Sequence, residues 1–326
     1  MWVDSLRLLR ARALFWITLG ISLLAAVMYL SVGFTDSGIS VMFGMANLDN
    51  DVIRRGTEMA ELFYLGLFSK FIVGLWLSWI AVILGLISCA PVFPDFMAEG
   101  SIGIALAKPV GRLKLFLCKF LSGLAFMVVQ VGLFCVIVFF AIRWRVGVWN
   151  PTVFLAVPLV TLVFSYLYSV AVMTSVRTKS ALASVLAAIL VWFVAWMGQK
   201  SEEVLYMFAY QPGRGAEVMG GATEEGRAQW KSWHKASVAM MAFLPKTGET
   251  MNLMDRWIQV GKHHGFSNSQ FAASVFGMAQ KQETMKDEAV DKAIERHSVT
   301  YVLGTSMLFE LAVLGLAGWS FCRKDF

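Results

Sequence analysis

Charge is scarce in this chain: 15% of its 326 residues are Asp, Glu, Lys or Arg, 58% are hydrophobic, and mean hydropathy is +0.65. One water-soluble core of this length cannot hide so much apolar surface, so the composition excludes an ordinary soluble domain and points to a polytopic membrane protein. Cysteine is almost absent. Cys89, Cys118, Cys135 and Cys322 all fall in or at the ends of apolar runs, which excludes a disulfide framework and any Cys-x-x-Cys pair and leaves packing as their role. The four histidines, His234, His263, His264 and His297, lie outside the long apolar runs. A membrane-embedded enzyme would therefore lack both a histidine base and histidine metal ligands at membrane depth, and no catalytic residues are assigned. No Gly-x-x-x-x-Gly-Lys-Ser/Thr loop is present to cradle phosphates.

What is abundant is uncharged apolar sequence. Runs long enough to cross a bilayer, which takes roughly 20 residues, extend over Ala13 to Thr35, Phe71 to Pro94, Phe120 to Ile142, Val146 to Val176 and Ser180 to Gln199. A sixth, Val299 to Cys322, is broken only by Glu310. Such runs lack the alternation of barrel strands, so the expected fold is all-α with six transmembrane helices. Residues 1–199 form a membrane domain with spans near 13–35, 63–94, 113–142, 150–176 and 180–199. Residues 200–298 form a mostly helical external segment, and 299–326 carry the sixth span and the C-terminus. The first run is too long for a cleaved leader and is read as a span. Trp2, Leu6 and Leu9 lie on one face of a short amphipathic lead-in.

Lys and Arg set the orientation. Arg7, Arg10, Arg12, Lys108, Arg112, Lys114, Lys119, Arg177, Lys179, Arg323 and Lys324 share one side, whereas the opposite short loops hold Arg54, Arg55, Arg143 and Arg145. Both termini are thus expected in the cytoplasm of a cell whose inner or plasma membrane holds the chain. The segment from Lys200 to Ser298 balances its basic and acidic residues and lies outside. The formal +6 charge then reads as membrane anchoring, without a nucleic-acid partner.

Residues 93–124, FPDFMAEGSIGIALAKPVGRLKLFLCKFLSGL, are the most informative stretch. Pro91 and Pro94 are expected to end the second span, and Asp95 to cap a short helix over about Phe96 to Lys108. That helix is rich in small residues that permit close contact with another surface. Pro109 suits the first turn of the third span, which Arg112, Lys114 and Lys119 anchor at the inner interface.

These residues resemble the permease subunits of type-2 ATP-binding-cassette transporters, most of them exporters. Gly100, Ser101, Leu106, Ala107, Lys108, Pro109, Val110, Arg112 and Lys119 stand at that family's spacings, with Ser101 in place of its usual Thr. Gly103 and Ala105 are smaller than the family's common choices, and Glu99 stands directly before the glycine, where relatives place an acid a few residues earlier. The resemblance is specific over about thirty residues. It implies a subunit that forms the translocation path and binds no cofactor itself, with ATP and Mg held by a separate ATPase. It also implies a second permease subunit, identical or not, and a coupling helix including Asp95, Glu99 and the residues to Lys108. The runner-up readings are a secondary transporter or channel, for which no internal repeat is visible, and a non-transporting anchor or sensor on the same scaffold.

Two charges stand in apolar surroundings. Glu310 lies near the midplane of the last span, where charge is costly, and either pairs with Lys70, bonds a neighbouring helix, or serves a substrate or proton. Arg143, Trp144, Arg145 and Trp149 suit an interfacial belt touching lipid phosphates or an anionic substrate. In the external segment, residues 212–226 read as a flexible glycine-rich loop, 244–249 as a turn and 281–296 as a charged helix. Trp230, Trp233 and Trp257 are expected in the core of a small cap or near headgroups, and no metal site is assigned.

Overall fold

The computed structural model describes residues 13–49, 53–98, 111–210, 224–260, 263–264 and 297–324. Among them, five helices are long and apolar enough to cross a membrane, and one further apolar helix is shorter. The shorter one is α1 (Ala13–Ser31), which ends before the expected Thr35 because Gly33–Thr35 becomes a strand. An antiparallel sheet of β1 (Gly33–Thr35), β2 (Gly38–Val41) and β3 (Ala46–Asp49) follows, with Thr35 opposite Gly38 and Ser40 opposite Asn47. The all-α expectation thus needs this small addition.

Helix α2 spans residues 58–89 as Glu58–Leu67, a π-helical stretch Phe68–Ala81, and Val82–Cys89. Thr57 caps its start by accepting from the Ala60 amide, and Glu58 and Glu61 complement the exposed N–H groups of the first turn. At its far end Pro91 takes the N-cap position of α3 (Val92–Phe96). Asp95 therefore lies inside this helix and does not cap a new one. Pro94 sits in the first turn, where a missing N–H costs nothing, so it does not terminate the helix as expected.

Helix α4 (Arg112–Val146) has 35 residues, about 52 Å of axis. Gly147 closes it at φ 87°, a left-handed conformation suited to glycine, with Arg143 and Arg145 in the last turn. Asn150 and Pro151 then start a short 3-10 turn that leads into α5 (Ala156–Thr178). Helix α6 (Ala181–Tyr210) continues well past the expected end at Gln199. Helices α7 (Glu224–Met241) and α8 (Thr247–Trp257) follow, then a two-residue pairing of β4 (Gln259–Val260) with β5 (His263–His264). The last helix, α9 (Val299–Arg323), is capped by Ser298, whose hydroxyl accepts from the Tyr301 amide at 3.2 Å.

Helix α5 is the centre of the bundle. It packs against α2, α4, α6, α8 and α9 and has the most buried apolar window of the long helices. It meets α4 tightly at Gly123, where the Tyr168 ring fills the space a side chain would take. That ring is stacked between Phe120 and Phe164, at centroid distances of 5.3 and 5.2 Å. Small residues at such crossings let helices approach closely. The outward faces remain apolar: Leu182, Leu186, Leu190 and Met197 are exposed along one stripe of α6, and Leu308 and Leu311 on α9. Such faces suit a hydrocarbon surrounding.

The sheet leans on the start of α2. Phe34 contacts the rings of Phe63 and Tyr64 edge-on, and Ile39, Ile53 and Ala60 form a small separate core. Arg145 joins α4 to the end of α1, donating from Nε and Nη2 to the Leu30 carbonyl at 2.9 and 2.7 Å, and its guanidinium lies beside Gly33 of β1. It thereby satisfies an orphan carbonyl at the end of α1. Arg143 donates to the Gly147 carbonyl and lies over the Trp149 ring.

Candidate functional site

At one end of the bundle the ends of four helices are tied together. Arg112, at the start of α4, donates from Nη1 to the Cys322 and Lys324 carbonyls at 3.1 and 3.0 Å. Lys324 Nζ in turn donates to the Val176 carbonyl near the end of α5 at 2.6 Å. Burial, and secondarily nearby Lys179, lowers the Lys324 pKa. Lys119 lies 5.0 Å from the Phe96 ring centroid, which holds α3 against α4. Phe93, Phe96, Phe116 and Phe321 form the aromatic packing beneath. Of the expected coupling region, Asp95 lies in α3 and Arg112 and Lys119 lie in α4. Glu99, Gly100, Ser101, Leu106, Lys108 and Pro109 lie outside the described residues, as does the lead-in bearing Trp2, Leu6 and Leu9.

Within the bundle, Glu310 on α9 accepts from Ser165 Oγ on α5 at 3.0 Å, and the same hydroxyl contacts the Leu162 carbonyl at 2.8 Å. The two contacts share one hydroxyl hydrogen. Lys70 has another partner: its Nζ bonds Asp255 of α8, and Ser69 donates to the same carboxylate. An acid from the capping helices thus satisfies the cation on the π-helical stretch of α2, and Lys70 and Glu310 belong to separate contacts.

The opposite end holds a cavity of about 200 Å³. Gly74, Ser78 and Trp79 of α2 form one wall, Trp192, Trp196, Gln199, Glu202 and Glu203 of α6 a second, and Thr247–Asn252 with His297 the roof. Trp79 and Trp192 stack at 4.5 Å and 23°, and Trp196 meets Trp79 edge-on at 5.9 Å. The spacing on α6 is helical: Trp192, Trp196, Gln199 and Glu203 recur at i, i+4, i+7 and i+11, so one face supplies both aromatic floor and polar rim. Gln199 fastens the roof, donating to the Pro245 carbonyl and accepting from the Gly248 amide, both at 3.1 Å. A Cβ on Gly248 would lie 2.8 Å from that Gln199 oxygen, so glycine permits the close approach.

Charge concentrates on the rim. Glu202 is only 3% exposed and faces two histidines, with His234 Nε2 at 3.8 Å and His297 Nε2 at 3.9 Å. The other nitrogen of His297, Nδ1, is 3.0 Å from Glu249 Oε2. Arg256 donates to the His297 carbonyl at 3.0 Å, and Lys200 bonds Glu203 at 2.7 Å. Behind the roof, Lys246 is fully buried, with Nζ donating to the Met241 carbonyl and lying 4.7 Å from the Tyr301 ring centroid. Burial lowers its pKa, and the Glu249 and Glu202 carboxylates oppose that shift. Among the described residues, no three of His, Cys, Asp and Glu are grouped to hold a metal ion.

Sequence reading missed this site because its walls come from separate segments, with α2 and α6 more than a hundred residues apart. The detectable signal was the Trp192–Trp196–Gln199–Glu203 face. Of the three tryptophans expected in the cap, Trp230 lies tilted against Phe208 at 5.2 Å, Trp257 packs against the main core, and Trp233 is exposed. Of the expected glycine-rich loop over residues 212–226, residues 212–223 lie outside the described residues, as does the charged segment 281–296; Glu224, Glu225 and Gly226 form the first turn of α7 and not a loop, and Thr247, within the expected turn, already starts α8. Comparisons with protein families, with curated proteins and with solved structures found no match to the chain.

Proposed function

We propose that the chain is the membrane-spanning permease subunit of an ATP-driven type-2 ATP-binding-cassette transporter, acting as an exporter. In this reading α1, of 19 residues and about 28 Å, is the first of six spans, both termini are cytoplasmic, and α7 and α8 cap the outer end. The observation that carries the proposal is the spacing from Gly100 through Pro109 and Arg112 to Lys119, which a positive-inside loop alone has no reason to keep.

The geometry around Arg112 supports it mechanically. A soluble ATPase pressing on the segment between α3 and α4 would act on a junction already bonded to α5 and α9 through Arg112 and Lys324. Displacement there would be shared by the central helix and the last helix, as rigid-body rocking of a permease half requires. ATP and Mg belong to the partner ATPase, and a second permease subunit, a copy of this chain or a different one, completes the path.

The test is purification from native membranes in mild detergent, with the accompanying proteins identified by mass spectrometry. The expected result is a stoichiometric ATPase carrying a phosphate-binding loop, which dissociates when Gly100 and Ser101 are both replaced by Trp while the chain still elutes as one folded species. Recovery of the folded chain with no such ATPase refutes the proposal.

A further inference from the structure

The cavity between α2, α6 and α8 has a composition that selects a ligand class. Its apolar surface is aromatic, with Trp79, Trp192 and Trp196 meeting in one cluster. Its polar surface carries three carboxylates, Glu202, Glu203 and Glu249, with Lys200 beside Glu203 and the His297 ring beside Glu202 and Glu249. We propose that this cavity is a binding site for an organic cation that has an apolar body, of the substituted-ammonium class.

Both halves of the site favour the same ligand. Among aromatic side chains the face of an indole ring attracts a cation most strongly, and an ammonium bearing carbon substituents keeps that attraction while shedding its hydration easily. Carboxylates in a partly enclosed site attract it further, because water screens them poorly there. Glu249 is hydrogen-bonded to His297 Nδ1 at 3.0 Å, and Glu202 lies 3.9 Å from His297 and 3.8 Å from His234, so the two carboxylates are gathered at one rim. Anions are repelled by the same rim. A bare metal ion would find indole walls and no group of three metal-ligating side chains among the described residues. A neutral apolar molecule would have to cover the carboxylates without compensating them, at a desolvation cost.

The frame of the site suits recognition. The α2 wall is π-helical, a local widening found often at functional positions, and Gly74 on it adds no side chain to the cavity. The roof is pinned by Gln199 to α6 and by Asp255 to Lys70 and Ser69, so the aromatic floor and acidic rim stay in register. The inference concerns binding by this chain alone and does not depend on the identity of any ATPase.

Equilibrium binding of radiolabelled benzyltrimethylammonium to the purified full chain in lipid nanodiscs tests it, with empty nanodiscs subtracted. Saturable binding is expected, displaced by the unlabelled cation but not by equal concentrations of neutral N,N-dimethylbenzamide or anionic benzylsulfonate. Glu249→Gln and Trp192→Leu should each weaken binding about fivefold to tenfold, the scale of one partly desolvated charge or ring contact. Lys235→Gln, on the exposed face of α7, should leave it unchanged. Non-saturable binding, equal displacement by the neutral analogue, or wild-type affinity in both pocket variants overturns the proposal. The three-ligand comparison on the unaltered chain decides the matter if a variant fails to elute as a folded species.

Discussion

Replacing Gly123 by alanine tests whether α4 and α5 are packed as tightly as the structure indicates. A Cβ at this position would lie 2.6 Å from Tyr168 Cε1, 2.7 Å from Cζ and 2.8 Å from the hydroxyl oxygen. Ordinary carbon contacts are about 3.5 to 4.0 Å, so the ring must retreat by roughly 1 Å or the helices must part. Phe120 and Phe164 lie nearly parallel to the ring on its two faces, at interplanar angles of 15° and 17°, which block retreat along its normal. Overpacking of this kind costs about 1 to 3 kcal/mol, and the helix-propensity gain of Gly→Ala returns up to ~1 kcal/mol. The net expectation is a destabilisation of up to about 2 kcal/mol. With Tyr168→Ala already present the clash is gone, and Gly123→Ala should become neutral or stabilising, giving a coupling energy of about 2 kcal/mol. Equilibrium unfolding in mixed micelles, titrated with denaturing detergent and followed by circular dichroism, measures all four corners of the cycle. An identical effect of Gly123→Ala in both backgrounds would refute the reasoning. Gly198→Ala is the contrast: its Cβ would meet the Met241 sulfur, but a thioether at the end of a flexible side chain moves aside, so the cost should stay below about 1 kcal/mol.

Further outcomes follow from the polar contacts. Asp255→Ala should destabilise by about 2 kcal/mol in the same assay, because it leaves the half-buried Lys70 ammonium and Ser69 without that carboxylate. Arg145→Lys loses the two-pronged bond to the Leu30 carbonyl and should cost about 1 kcal/mol, with faster hydrogen exchange confined to Gly33–Ser40. The lowered Lys246 pKa means that folding disfavours its charged form; the penalty is complete below the folded pKa and disappears as pH rises through the ordinary lysine value near 10.5. Melting temperature followed by tryptophan fluorescence should therefore carry an alkaline stabilising contribution that Lys246→Met removes. An unchanged pH profile in that variant contradicts the assignment.

The junction and the cavity differ in how far they could be read in advance. Arg112 and Lys119 stand close in sequence to the prolines and small residues that define their setting, so spacing alone marked them. Their partners were not visible: Arg112 bonds carbonyls more than two hundred residues away, and a backbone carbonyl has no signature in sequence. Glu310 was recognisable as a charge in an apolar run, but nothing local distinguished Ser165 from Lys70 as its partner. The three-stranded sheet had a weak signal in the Asp36–Ser37 turn between Phe34 and Ile39, overshadowed by the apolar run leading into it. Helix ends shifted where apolar character and hydrogen bonding part company: α6 runs into charged residues past Gln199, while α1 stops inside an apolar stretch at Ser31.

By itself the sequence determined that this chain is built of long apolar helices, because hydrocarbon-length runs with so little charge can satisfy their backbones in no other way. It also marked the basic segment at Arg112, since charge and small-residue spacing are local properties of a chain. Only the tertiary structure decided that α5 is central, that Lys70 answers to Asp255, and that three tryptophans and three carboxylates enclose one cavity. Those facts depend on which helix faces meet, and for nearly uniform apolar helices that choice is made by steric fit at places such as Gly123 and by a few polar contacts, which hydropathy does not encode.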